Sequence, residues 1–164
     1  MHLKLDRNNG FKIMQVTDLH FAEDLDRDNK TIDMINEIIR KESPDFMAVT
    51  GDLISGQMYD FSEEESGFWG QYFESFFGHM NSFDIPWGFV PGYADYETNW
   101  GNKKMMEEIS KQHLHSDVNN KFKFLGQQIE HGFNFRVPIE ANDSDNTQVG
   151  QLWFLGTGKS DCIG

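Results

Sequence analysis

The chain has 164 residues, and 27 acidic against 14 basic side chains give it a formal net charge of -13. This length suits one domain, so residues 1–164 are treated as a single unit. The charge repels polyanions, which excludes non-specific nucleic-acid binding. No run approaches the roughly 20 apolar residues that cross a bilayer, and Met1–Gly10 lacks a signal-peptide pattern, so we expect a cytoplasmic protein without membrane contact. The single cysteine, Cys162, rules out an intrachain disulfide.

The first third of the chain predicts a strand, a helix and a second strand, which together form a βαβ unit. Phe11–Thr17 is rich in β-forming residues and follows an Asn-Asn-Gly turn signal. A helix is expected next, with Asp28 or Asn29 as its N-cap and Pro44 beyond its end. Its apolar residues recur at helical spacing and are Ile32, Ile35, Ile38 and Ile39. Phe46–Thr50 is the second strand, parallel to the first through a right-handed crossover.

The rest of the chain predicts two further helices and four short strands. The helices are expected over residues 62–80 and 102–112, and the first carries an aromatic stripe that should pack on a sheet. Trp87–Val90 should lie parallel to the first two strands. The remaining strands are predicted at residues 122–125, 133–138 and 152–155. Glu140–Gly150 is predicted to be a flexible surface loop. The fold class is therefore α/β with a β-rich tail, in a chain that we expect to be truncated.

Polar side chains follow the three predicted parallel strands. Asp18 and His20 come after the first strand, Asp52 after the second and Asp95 after the third. Because parallel strands end at one edge of a sheet, these side chains should meet in the same crevice. Carboxylates and imidazole suit divalent metals, and an Asp-x-His pair that bends out of the pleat can place both side chains on one ion. A single Asp at a strand end is more often a cap or a turn former, so the hypothesis depends on the convergence of three strand ends.

Three sequence blocks resemble one known family. FKIMQVTDLHF, PDFMAVTGDLISG and PWGFVPGYADYE occur in the order and at the spacing of the calcineurin-like metallophosphoesterase superfamily. With the later WFLGTG segment, they are most similar to its branch of purple acid phosphatase 29-like and Dcr2-like phosphatases. The resemblance covers nearly the whole chain and implies the N-terminal part of a four-layer α-β-β-α sandwich. It also implies two metal ions at the strand ends, with Asp18 and His20 on the first and Asp52 bridging both.

The third block departs from the family pattern Gly-Asn-His-Asp/Glu. Tyr93 stands in place of the Asn that binds the second metal, and Ala94 stands in place of the catalytic His. A neutral phenol is a poor ligand for a borderline divalent ion, and a methyl group cannot exchange a proton. Asp95 keeps a supporting position in which family carboxylates orient the neighbouring histidine, which is missing here. The later histidine motifs of the family are also absent from this sequence, so we expect at most one weakly held Mn, Fe or Zn ion and assign no catalytic residue.

Three interpretations of function stay open at this point. In the first, the chain is a metal-dependent phosphoesterase whose intact relatives hydrolyse phosphomonoesters or phosphoprotein through a water activated by two metals, and this copy is impaired. In the second, it is a non-catalytic pseudophosphatase that binds a partner or a phosphorylated ligand. In the third, it is an inactive gene-model fragment. His113 and His115 are typical of a solvated surface pair and are not assigned as replacement ligands. The substrate and the oligomeric state are not predicted.

Overall fold

The structure is a computed structural model that describes residues 3–21, 24–55, 85–97 and 134–156. The helices and strands of these residues are β1 (Leu3–Lys4), β2 (Ile13–Val16), α1 (Leu25–Glu42), β3 (Phe46–Thr50), β4 (Trp87–Val90), α2 (Tyr93–Tyr96), β5 (Phe135–Glu140) and β6 (Gln148–Phe154). The strands form two sheets, in the orders β2-β3-β4 and β1-β5-β6. This mixed arrangement confirms the predicted α/β class.

The sheet β2-β3-β4 is parallel throughout, as the sequence predicts. Val49 of β3, the central strand, pairs with Val16 of β2 on one side and with Phe89 of β4 on the other. The predicted bounds of β3 and β4 are confirmed, but β2 is shorter than predicted. It starts late because the Lys12 N–H donates to the Asp45 carboxylate, at 2.7 Å, instead of pairing with a strand. Since the three strands run in the same direction, their carboxyl ends share one edge of the sheet.

Helix α1 begins one turn earlier than predicted, so the assignment of Asp28 or Asn29 as its N-cap is wrong. Asp24 is the N-cap, and its side chain accepts hydrogen bonds from the backbone N–H groups of Asp26, at 2.9 Å, and Arg27, at 3.2 Å. This N-terminus was not predicted because the first residues of the helix are polar or exposed and no apolar repeat marks them. The capping carboxylate therefore defines the N-terminus where periodicity does not.

The C-terminus of α1 lies just before Pro44, as the sequence predicts. Ser43 adopts a left-handed conformation and donates its N–H to the carbonyl of Ile39, at 2.8 Å, and Pro44 follows. Ile35 and Ile39 are buried, whereas Ile38 lies at the edge of the apolar face and is exposed. The helix therefore stops where a left-handed residue and a proline make continuation unfavourable.

The two sheets pack face to face through phenylalanine rings. Phe135 of β5 and Phe154 of β6 stack with their centroids 4.4 Å apart, and Phe46 of β3 meets Phe154 edge-on at 5.9 Å. Gly88 of β4 leaves the space for these rings, because a Cβ at that position would lie 2.9 Å from the ring carbon Cζ of Phe154. The absence of a side chain at residue 88 thus permits the close approach of the sheets.

The opposite face of the sheet β2-β3-β4 is also buried. Met47, Val49 and Phe89 alternate with the residues that meet the phenylalanine rings. They belong to one buried apolar cluster that also contains Ile35 and Ile39 of α1. The described residues therefore contain two packed sheets with one buried cluster that α1 joins, and the four layers of the expected sandwich stay a prediction.

Strands β5 and β6 form an antiparallel hairpin whose bounds differ from the prediction. The first strand reaches Glu140 and the second already begins at Gln148, so the two ends of the predicted loop 140–150 are strand, and only residues 141–147 connect the strands. Prediction missed these residues because the first two residues of β6 are exposed and no apolar-polar alternation marks them. In the connection, the Asp143 carboxylate accepts the N–H groups of Asp145 and Thr147, both at 3.2 Å, and these bonds lower the pKa of Asp143.

Several predictions fall outside the described residues. They are the helices at 62–80 and 102–112, the strand at 122–125, and the residues Cys162, His113 and His115. Among the residues that the structure does describe, no helix is long and apolar enough to cross a membrane.

Candidate metal centre

Asp18, His20 and Asp52 come together at the carboxyl ends of β2 and β3. Each offers one ligand atom, and these three atoms all lie within 4.8 Å of one another. Two ligands that each bind one ion at about 2.0–2.2 Å can be at most about 4.4 Å apart. Movements of a few tenths of an ångström would therefore bring all three onto a single cation. The donor set of two carboxylates and one imidazole fits a divalent metal ion.

These three residues share a left-handed backbone conformation. The φ angles are +54° at Asp18, +46° at His20 and +49° at Asp52. Such angles are uncommon outside glycine, although Asp, Asn and His tolerate them best. The other non-glycine residues with positive φ in the described chain are Asn9, Ser43 and Asn146, which lie in turns or at a helix end. Clustering of left-handed residues at candidate ligands is the kind of backbone strain that accompanies functional sites.

Backbone hydrogen bonds hold the two ligand loops side by side. Asp18 N–H donates to the carbonyl of Gly51, at 3.1 Å, and His20 N–H donates to the carbonyl of Asp52, at 3.0 Å. Farther along, Phe21 pairs with Ile54 in a short parallel bridge. The parallel pairing of β2 and β3 therefore resumes beyond the strands, and it fixes the relative positions of the three ligand residues.

Neighbouring hydroxyl groups contact two of the candidate ligands. The Thr17 hydroxyl donates to Oδ2 of Asp18, at 2.7 Å. Nδ1 of His20 lies 3.0 Å from the hydroxyl of Ser55, which is only 6% exposed. Sequence reasoning missed Ser55, because a serine four residues after Gly51 carries no periodic or motif signal of its own.

Asp52 is held by the third motif. The backbone N–H of Ala94 donates to Oδ1 of Asp52, at 2.8 Å. A Cβ at Gly92 would lie 2.3 Å from that same oxygen and 2.9 Å from the Cα of Gly51. Two glycines thus let the loops after β3 and β4 pass in backbone contact, and this places the N–H of Ala94 against the carboxylate.

Tyr93 and Ala94 open the short helix α2 beside Asp52. The Tyr93 side chain is 65% exposed, and Ala94 is buried at 7% exposure. A neutral phenol is a poor ligand for a borderline divalent ion, and a methyl group can neither donate nor accept a proton. Ala94 therefore supports Asp52 through its backbone N–H, and its methyl side chain contributes no acid-base group.

Asp95 is buried next to the cluster and is not a member of it. Its carboxylate accepts the N–H groups of Gly92, at 2.7 Å, and Ile54, at 3.0 Å, and so joins the loops after β3 and β4. Burial raises its pKa from 3.8 to about 6; the negative charge of Asp52 adds to the rise, and the backbone hydrogen bonds oppose it. The position expected to orient a histidine instead braces the backbone around Asp52.

The fold and the three converging side chains define a class of protein: an α/β protein with a candidate metal centre at the ends of parallel strands. The family model of calcineurin-like phosphoesterases matches residues 11–156 of the chain. The chain belongs to this family, as its three motifs indicate.

Relatives in the curated proteins agree with the predicted branch. "Probable inactive purple acid phosphatase 28" of Arabidopsis thaliana is 26% identical over 181 residues, which cover 96% of this chain and 44% of that protein. "Probable inactive purple acid phosphatase 29" of the same plant is 28% identical over 174 residues, with coverage of 95% and 42%. An uncharacterized protein of Schizosaccharomyces pombe is 40% identical over 60 residues, or 27% of this chain and 12% of that protein. The chain spans less than half the length of these relatives.

Proposed function

We propose that this chain binds one divalent cation through Asp18, His20 and Asp52 and acts on a phosphate ester with greatly reduced turnover. The observation that carries the proposal is the convergence of these three ligand atoms within 4.8 Å, next to a third motif that lacks a second ligand and an acid. Membership of the phosphoesterase family supports phosphorylated compounds as the substrate class.

The mixed oxygen and nitrogen donors favour Mn, Fe or Zn over Ca or Mg. When bound, such a cation supplies positive charge for phosphoryl oxygens and Lewis acidity toward water. Hydrogen bonds within the chain orient two of the candidate ligands: the Thr17 hydroxyl orients Asp18, and the Ala94 N–H orients Asp52. Three ligands on hydrogen-bonded loops leave the remaining coordination positions to water and substrate.

The missing groups set the expected activity. Loss of a general acid commonly costs about 10² to 10⁴ in rate. Tyr93 also leaves the second cation without its amide ligand, so we expect one ion where intact relatives hold two. Slow hydrolysis of phosphomonoesters, or of a phosphoprotein, is the activity that this reduced centre supports.

A second candidate function is binding without catalysis. The methyl group of Ala94 at the acid position favours it, and so does the word "inactive" in the names of the two Arabidopsis relatives. A pseudophosphatase of this kind would use the cation to hold a phosphorylated ligand. The two candidates agree on metal binding and differ only in turnover.

The test combines calorimetry with an assay on the purified chain. Titration with Mn²⁺ or Zn²⁺ should give one site, which Asp52→Asn weakens strongly. Asp145→Asn makes the same change of charge in the β5–β6 connection, outside the cluster, and should bind as the unchanged chain does. Equal affinity in all three proteins would refute the metal centre.

Hydrolysis of p-nitrophenyl phosphate separates the two candidates. Metal-dependent turnover that Asp52→Asn abolishes supports the impaired phosphoesterase, and binding without turnover supports the pseudophosphatase. The double variant Tyr93→Asn with Ala94→His should raise the rate if those positions limit it. An unchanged rate and an unchanged metal affinity in the double variant would show that the third motif is wrongly assigned.

A further inference from the structure

Ser55 faces His20 across the two ligand loops. Its hydroxyl lies 3.0 Å from Nδ1 of the imidazole, and its side chain is buried at 6% exposure. Ser55 and Asp52 belong to the same loop after β3, so one short segment offers a candidate ligand and a contact to another candidate ligand.

The backbone fixes both ends of this contact. Ser55 N–H donates to the carbonyl of Phe21, at 3.2 Å, and Phe21 is almost fully buried. His20 N–H donates to the carbonyl of Asp52 from a left-handed conformation. Neither residue can shift along its loop without breaking these bonds, so the hydroxyl stands at a defined place relative to the ring.

An imidazole ring needs such a contact to present one chosen nitrogen. The torsion about the bond between Cβ and the ring is broad and roughly two-fold, so an unanchored ring can turn over and exchange the places of nitrogen and carbon atoms. The nitrogen that binds a metal is set by the hydrogen bond that the other nitrogen makes. A hydroxyl is suited to this role because it can accept the proton of Nδ1.

We propose that Ser55 is a positioning residue that holds Nδ1 of His20 and thereby directs Nε2 to the cation shared with Asp18 and Asp52. This inference rests on the proposed metal centre. Ser55 touches neither the cation nor the substrate and acts through the orientation of the imidazole. A purely structural serine would contribute to folding and leave metal affinity unchanged.

The first experiment compares Zn²⁺ affinities by calorimetry. Ser55→Ala should weaken Zn²⁺ binding about 10- to 100-fold, the usual effect of losing a partner of a metal-bound histidine. Ser55→Thr keeps the hydroxyl and should restore most of the affinity. Urea midpoints of the variants show whether a loss of affinity merely follows a loss of fold.

The second experiment identifies the bound nitrogen in the unmutated chain. Long-range ¹H–¹⁵N NMR of the Zn²⁺-loaded protein, with the His20 signals assigned by their absence in His20→Gln, should show a proton on Nδ1 and the metal on Nε2. Coordination through Nδ1 would overturn the proposal, and this measurement does not require any Ser55 variant to fold.

The outcomes separate this inference from the metal centre itself. A chain that binds no Zn²⁺ overturns both. A chain that binds Zn²⁺ through Nε2, but with the same affinity after Ser55→Ala, overturns only the role of Ser55. Weakened binding in Ser55→Ala together with recovery in Ser55→Thr supports it.

Discussion

Gly92→Ala tests whether the contact between the loops after β3 and β4 places Asp52. The new Cβ would lie 2.3 Å from Oδ1 of Asp52 and 2.5 Å from its backbone nitrogen. Carbon atoms normally approach such atoms no closer than about 3.2 to 3.5 Å, so the loops must separate by about 1 Å. The backbone nitrogen cannot yield by changing a rotamer, so the displacement reaches the whole ligand loop.

Three interactions determine how much Gly92→Ala lowers the free energy of unfolding. Overpacking of this kind costs about 1–3 kcal/mol. The hydrogen bond from Ala94 to the Asp52 carboxylate adds about 1.5–3 kcal/mol if it breaks. Alanine has less conformational freedom than glycine in the unfolded chain, and this difference stabilises the folded state by about 0.4–1 kcal/mol. If that bond breaks, we therefore expect the free energy of unfolding to fall by about 1.5–5.5 kcal/mol, with Zn²⁺ affinity at least about tenfold weaker because Asp52 moves.

The assay is urea denaturation with a matched glycine control. At Gly150 of β6 a Cβ would meet only Ile139, at 3.8 Å, which is an ordinary contact. Gly150→Ala should therefore leave the midpoint unchanged or raise it slightly. If Gly92→Ala unfolds within about 0.5 kcal/mol of the unchanged chain and binds Zn²⁺ equally well, the close contact does not hold Asp52.

Three further predictions concern folding. Gly88→Ala places a Cβ 2.9 Å from Cζ of Phe154 and should cost about 1–3 kcal/mol, with a changed near-ultraviolet circular dichroism spectrum from the displaced rings. Asp24→Ala removes the N-cap of α1 and should cost about 1 kcal/mol in urea denaturation, whereas Asp24→Asn should cost much less. The pKa of Asp95 rises from 3.8 to about 6 on folding, so its contribution to stability is greatest below pH 3.8 and is lost as the pH rises through 6. In the metal-free protein, the free energy of unfolding relative to Asp95→Asn should thus increase by about 2.4 kcal/mol between pH 7 and pH 4.

Each of these has a result that contradicts it. An unchanged midpoint in Gly88→Ala would mean that the two sheets have room between them. Equal stability of the alanine and asparagine variants at residue 24 would mean that the cap contributes nothing. A difference between the unchanged chain and Asp95→Asn that stays constant with pH would mean that Asp95 is not shifted in the folded protein.

The sequence predicts the parallel sheet best, because its signals are local. Phe46–Thr50 is a continuous β-forming run between Pro44 and Gly51, and the strand has these bounds. The start of α1 and the first half of β6 are less predictable, because polar and exposed residues there adopt regular structure through a cap or through strand pairing.

The candidate ligands were predictable as a set, and the contacts that hold them were not. Asp18, His20 and Asp52 follow strands that pair in parallel, so topology alone brings them close together. The contacts of Ser55 with His20 and of the Ala94 N–H with Asp52 join segments 35 and 42 residues apart in the chain. Such contacts depend on how the loops fold over one another, which strand patterns do not encode.

The left-handed backbone of the three candidate ligands restricts which amino acids can replace them during evolution. At residues 18, 20 and 52, glycine, asparagine, aspartate and histidine fit best, and a β-branched replacement costs about 1–2 kcal/mol before any ion is considered. Tyr93 and Ala94 lie in a right-handed helical turn, which most residues can adopt. The backbone at residues 93 and 94 therefore accepts many residue types, whereas the backbone at residues 18, 20 and 52 accepts few. In a lineage of this fold, we expect catalysis to erode before the capacity to hold a cation.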